Sequence, residues 1–218
     1  MSALRGSWLF LGVLLAGCAS GTGPLDVSEQ SFAAEVVDFT PGEGAGFGGA
    51  SMPDVVLGPP AAGSGGGASL DVLSLGAGGS IVLAFGDRVI VDGPGPDFIV
   101  FENVFQVNGT DTFFQELGEV SIAENPGEFH VFTCVPGESE EGCAGRKPTE
   151  DFPFDQEVHL DPELTGGDAF DLADLGLTTA RWVKIQDVSH NGSGTTAGFD
   201  LDAVGLVNWV WVEELDAP

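Results

Sequence analysis

Tyrosine is absent from this 218-residue chain, and lysine occurs only twice, at Lys147 and Lys184. Basic residues number 6 against 34 Asp and Glu, a formal net charge of −28. So large a deficit of positive charge excludes a nucleic-acid binder, because nothing could neutralise phosphates. It also disfavours docking of the protein surface on an anionic membrane. Cysteine is scarce, and no apolar run approaches the roughly 20 residues that a membrane-spanning helix needs. No long amphipathic helix can be drawn, and no repeat of about 20–50 residues recurs. His130, His159 and His190 lack the spacing of a zinc or iron site, and no Gly-x-Ser-x-Gly elbow occurs. Gly65-Gly66-Gly67 and Gly93-Pro94-Gly95 lack the Lys-Ser/Thr and the opening helix of a phosphate loop.

What is present begins with an address. Arg5 precedes the apolar run Trp8–Leu15, which leads into Leu15-Ala16-Gly17-Cys18. The run suits a signal peptide, and its end looks like a bacterial lipobox, with Cys18 lipidated and made the mature N-terminus. Two or more acyl chains hold a protein stably on a membrane, so no transmembrane helix is needed. Ala19 after Cys18 carries no acidic retention signal, which favours the outer membrane or cell surface. The expected organisation is a lipoprotein signal peptide over 1–17, the lipidated Cys18 with a flexible tether over 18–33, and one domain over 34–213. Without Arg5 the mature chain keeps 34 acids against five bases.

The composition is 43% hydrophobic, enough for a sizeable core. Apolar residues alternate in short runs bounded by Gly, Pro, Asn and Asp. Strands are expected at Ser80–Phe85, Arg88–Asp92, Asp97–Asn103, Glu119–Glu124, Phe129–Cys134, Arg181–Asp187, Phe199–Val204 and Leu206–Val212. Asn125-Pro126-Gly127 reads as a hairpin turn. This pattern indicates an all-β fold, a jelly-roll-like antiparallel β-sandwich. Pro41 to Gly79 holds thirteen glycines and reads as either a flexible loop or a backbone-dense loop packed on the sandwich, while Asp168–Leu177 suggests one helical turn capped by Asp168 or a nearby residue. In an oxidising compartment Cys134 and Cys143 are expected to pair as a disulfide, two free thiols being the alternative.

Several segments carry a resemblance. Val56-Leu57-Gly58-Pro59-Pro60, Ser74–Ile81, Gly95-Pro96-Asp97-Phe98-Ile99-Val100-Phe101-Glu102-Asn103, Gly166–Leu172 and Gly198-Phe199-Asp200-Leu201-Asp202-Ala203-Val204 follow in that order. Over about Val36 to Asn208 the chain resembles a family of bacterial, often myxobacterial, secreted or lipid-anchored cell surface proteins. The resemblance implies a surface location and a β-sandwich. One departure is Glu124-Asn125-Pro126-Gly127, where relatives place Asp-Gly in the hairpin turn.

The chemistry to be explained is carboxylate. Alternation puts Asp97, Ile99, Phe101 and Asn103 on one strand face and Phe98, Val100 and Glu102 on the other. It also puts Asp200 and Asp202 together, opposite Phe199, Leu201 and Ala203. A carboxylate among apolar residues is costly to desolvate, and five bases cannot pair them all. Ca²⁺, which takes about six to eight oxygens, would solve this, with Asp97, Glu102, Asn103, Asp200 and Asp202 as candidate ligands. The competing reading is that these acids cap turns and face water. Asp168, Asp171 and Asp174 form a second acidic group, which reads better as a solvated turn. Glu102 with Glu116 or Asp202 is the conceivable glycosidase pair, but with 34 acids some pair will always look suitable. Trp209 and Trp211 share a face with Val207, either as a sugar-stacking surface or as core of the last strand. The expected protein is a non-catalytic binding or adhesion module for a glycan or protein partner, the alternatives being a structural envelope lipoprotein or a glycan-active hydrolase.

Overall fold

The computed structural model describes residues 30–61, 68–107, 109–151, 160–189 and 197–215. Cys18, the signal segment, most of the tether, His159, His190 and Gly65-Gly66-Gly67 lie outside the described residues. Within them the chain runs through β1 (Glu35–Thr40), β2 (Leu73–Ser74), β3 (Ser80–Ala84), β4 (Arg88–Val91), β5 (Phe98–Glu102), β6 (Phe105–Gln106), β7 (Phe113–Phe114) and β8 (Gly118–Ala123). It continues through β9 (His130–Val131), β10 (Cys143–Ala144), the one-turn helix α1 (Pro162–Thr165), β11 (Asp168–Phe170), β12 (Thr179–Ala180), β13 (Trp182–Asp187), β14 (Asp200–Leu206), β15 (Trp209–Trp211) and the short helix α2 (Val212–Leu215).

All of these strands pair antiparallel. A six-stranded sheet runs β1-β3-β13-β8-β10 with β9 also on β8, and a four-stranded sheet runs β11-β5-β14-β2. Smaller sheets are β12-β4-β15 and β6-β7. The main core lies between the two large sheets. Ile81, Leu83, Val120, Ile122, Val183 and Ile185 come from one side, and Phe98, Val100, Leu201 and Val204 from the other. On the six-stranded sheet only one face is covered. Along β13 burial therefore alternates, with Val183, Ile185 and Asp187 in and Trp182, Lys184 and Gln186 part-exposed.

The four-stranded sheet is covered on both faces. Its second face carries Ile99, Phe101 and Ala203 against Phe32, Leu160 and Val207. This is why β5 reads as an unbroken apolar run and why every residue of β5 and β14 is buried. Phe98 stacks on Phe170 at 5.2 Å between ring centroids.

Three expectations change. The pairing of β14 with β5 slips between Leu201 and Ala203, a bulge that adds one residue. Leu201 lies in the main core and Ala203 in the second, so Asp200 and Asp202 do not share a face. Asp168 itself opens strand β11, opposite Val100, and the expected turn follows it within Asp168–Leu177. The turn that does follow, a 3-10 helix over Leu172–Leu175, is capped by Asp171, whose Oδ1 accepts from Ala173 N–H at 2.8 Å. Finally, the Gly-rich stretch contributes β2 as the edge of the four-stranded sheet. Gly48, at φ 76°, sits so close to Val72 O that a Cβ would come within 2.0 Å of it.

Candidate functional site

Glu102 ends β5, on the face that Phe98 and Val100 turn into the main core. Its neighbour on the same face is Asp168, which stands opposite Val100 on β11. Glu116 lies beyond the β6–β7 hairpin, two residues before β8. Glu102 is 2% exposed and Glu116 0%. Neither carboxylate makes a hydrogen bond with either oxygen. Leaving such a group buried without partners is among the costlier things a fold does.

The surroundings make it worse. Burial raises the Glu102 carboxyl well above the ordinary carboxylate range, and the charges of Asp200, Glu116 and Asp168 push the same way. Glu116 is pushed up to about 8, first by burial and then by Asp200 and Asp187. The backbone N–H groups of Asp200 and Gly198 oppose these shifts only weakly. No basic residue contributes to either group. Asp200, at the start of β14, is raised by burial, while the Ser74 hydroxyl, which donates to its Oδ1, pulls the other way.

The acids around this group are held firmly by the backbone. Asp187 accepts from Gly78 N–H at 2.9 Å, Phe199 N–H at 3.0 Å and the Ser189 hydroxyl at 2.5 Å. Asp168 accepts from Arg146 N–H at 2.7 Å and forms an ion pair with Arg146 Nε at 3.3 Å. Burial still raises Asp168, against the pull of Arg146 and Lys147. The chain is tightly packed here as well: a Cβ on Gly145 would come within 1.9 Å of Glu116 O, and one on Gly198 within 2.6 Å of Gly76.

The expected ligand residues divide among several places. The charge of Asp200 acts on Glu102, and Asn103 N–H donates to Asp200 O at 3.2 Å while its amide bonds the backbone of Ser69 through Oδ1 at 2.7 Å and Nδ2 at 3.2 Å. Asp97 is at the other end of β5, about 17 Å along the strand. Its oxygens accept from Gly93 N–H at 2.9 Å, Asn208 Nδ2 at 2.9 Å and Leu172 N–H at 2.8 Å. Asp202 turns to Ala61, accepting its N–H at 2.9 Å; burial lifts it to about 7, Ala61 opposing and Asp71 adding to the shift. Glu116 was considered in the sequence only as a catalytic partner of Glu102. The signal that could have placed it is the spacing of Glu102 and Glu116 at the two ends of a short aromatic hairpin.

Among the described residues, the acids whose oxygens converge are Asp92, Asp97 and Asp171, with one oxygen from each within 4.8 Å of the others. Of these, Asp97 and Asp171 each accept a backbone N–H as well, from Leu172 at 2.8 Å and Ala173 at 2.8 Å.

Elsewhere the disulfide between Cys134 and Cys143 is formed, with the Cα atoms 4.8 Å apart. It borders β10, where Cys143 pairs with Glu119. Trp209 packs on the main core, and its ring meets that of Trp211 edge-on at 5.3 Å. Trp211 lines a cavity of about 520 Å³, together with Leu57, Phe85, Gln30, Asp87 and Arg88. No helix among the described residues is long and apolar enough to cross a membrane. Against known proteins, the chain matches no family model and no curated relative.

Proposed function

We propose that the protein is a non-catalytic lipoprotein, anchored through Cys18 at the outer membrane or cell surface, whose jelly-roll-like sandwich is supported by Ca²⁺ and binds a glycan or a protein partner. The observation that carries the binding reading is the cavity beside β15. An indole edge at Trp211 with apolar walls from Leu57 and Phe85, and with Asp87, Arg88 and Gln30 at hand, offers a sugar ring both a stacking surface and hydrogen-bonding groups. The lipobox and the resemblance of the Gly95–Asn103 and Gly198–Val204 segments to bacterial surface proteins support the location.

The glycosidase reading is weakened by the same burial that makes Glu102 and Glu116 conspicuous. A glycosidase pair must reach both faces of a scissile bond in a sugar chain, and these carboxylates are 2% and 0% exposed. A glycan array with the purified protein tests the proposal. Binding that falls at least tenfold in Trp211→Ala, with an unchanged melting temperature, is the expected result. Silence across glycans and surface extracts would leave the structural-lipoprotein reading. Hydrolysis of an array sugar that Glu102→Gln abolishes would replace both.

A further inference from the structure

The cavity beside β15 lies where the N-terminal segment enters the fold. Ala33 N–H donates to Val204 O at 3.0 Å, Ala34 N–H donates to Ala84 O at 2.9 Å, and Ala33 O accepts from Gly58 N–H at 3.3 Å. These bonds pin the segment beside the cavity, and Gln30, the first residue described, is part of the cavity wall. Leu57, Pro59, Phe85 and Trp211 supply apolar surface to that wall, and Asp87 and Arg88 supply its charges. At about 520 Å³ the space is of ligand-pocket size.

The residues just before Gln30 are Leu25-Asp26-Val27-Ser28-Glu29. Leu25 and Val27 are the only branched aliphatic side chains between Cys18 and Gln30. Alternation puts them on one side of an extended segment and Asp26 on the other. At roughly 3.3–3.6 Å per residue, Val27 is at most about 11 Å along the chain from Gln30 and Leu25 at most about 18 Å. Both therefore reach the cavity without any help from the rest of the tether. A segment joined to the wall by so short a link acts at an effective concentration of about millimolar or more, so a weak contact is enough to fill the space.

We propose that Leu25 and Val27 seat in this cavity as a strap, so that the tether closes the site at Trp211 and Phe85 until a sugar displaces it. The inference rests on the glycan reading above for what the strap competes with. Burial of the two aliphatic side chains drives the contact. The acidic surface opposes it through Asp26 and Glu29, and Arg88 on the cavity wall offsets that repulsion locally. The apparent affinity for a sugar is then the intrinsic one reduced by the fraction of molecules whose strap is out.

Thiol labelling of the mature chain tests the strap. Cys134 and Cys143 are joined to each other, and Cys18 carries the lipid in the lipoprotein reading, so a cysteine introduced into the tether is the free thiol. A maleimide is expected to label Val27→Cys at least tenfold more slowly than Gly21→Cys, and both at one rate in urea. Adding Trp211→Ala to Val27→Cys removes the difference. Leu25→Ser with Val27→Ser, placed outside the sandwich, leaves the melting temperature unchanged and tightens glycan binding at least threefold. Equal labelling of Val27→Cys and Gly21→Cys in the folded protein overturns the proposal. So does slow labelling that Trp211→Ala leaves untouched, which would seat the strap elsewhere. Equal glycan affinity in the parent and the double serine variant overturns the closure while the glycan reading stands. If neither binds any glycan and the labelling results hold, the strap stands and the glycan reading falls.

Discussion

Glu102 and Glu116 repel each other across the base of one hairpin, each with both carboxylate oxygens buried and neither hydrogen bonded. No basic side chain among the described residues acts on either of them.

This sets the pH dependence of the ion-free protein. Glu116 titrates near 8 in the fold, above its ordinary value of 4.5, and Glu102 is raised as well. The folded state therefore binds more protons than the unfolded state between these limits, and stability falls as pH rises. Melting in EDTA is expected to be highest near the ordinary glutamate value and to decline steadily toward and past pH 8. Glu116→Gln should flatten that decline. A stability maximum above pH 8 in EDTA would contradict it.

Asp97 makes a contrasting case. Its carboxylate accepts from Gly93, Leu172 and Asn208, joining the loop before β5 to the 3-10 turn after β11 and to the loop after β14. Asp97→Ala leaves these donors without their acceptor, at about 1–3 kcal/mol for each buried group left unpaired. Urea unfolding should show a loss of that order or greater, equal with Ca²⁺ and with EDTA. A loss confined to the calcium condition would move Asp97 into the ion's shell.

The Cys134–Cys143 bridge closes a loop of sequence separation 9. Chain entropy assigns such a loop about 2–3 kcal/mol. Cys134→Ser with Cys143→Ala should lower urea-unfolding stability by that order. It should also expose 135–142 to proteases, because the cross-link holds the loop beside β8 through β10. Unchanged stability and unchanged cleavage would mean that the pairing of β10 with β8 suffices alone.

The strands that carry the core were legible because their periodicity is simple. β13 alternates since it has one wet face, and β5 is apolar from Phe98 to Phe101 since the sheet it belongs to has none. Short strands such as β2, β6, β7 and β10 have two residues each, too few for any period to show. Alternation failed at Asp202 because a bulge adds a residue where the strand lies deepest, and a bulge of this kind has no glycine to announce it. Asp168 misled because an acid before an apolar pair suits a helix cap as well as it suits a strand that meets Arg146. The site was half visible: Glu102 and Asp200 stood out as acids within apolar strands, but Glu116 comes from a connecting segment.

The second face of the four-stranded sheet bears on how an anchored molecule carries force. Phe32 bridges Gly205, and Ala33 N–H donates to Val204 O at 3.0 Å, so the N-terminal segment joins the fold alongside β14. Under the proposed anchoring through Cys18, a pull from the membrane would be taken up within the sandwich first by β14, a strand whose every residue is buried. Drag on the exposed end of the protein would be borne by its interior, with the peripheral loops left slack.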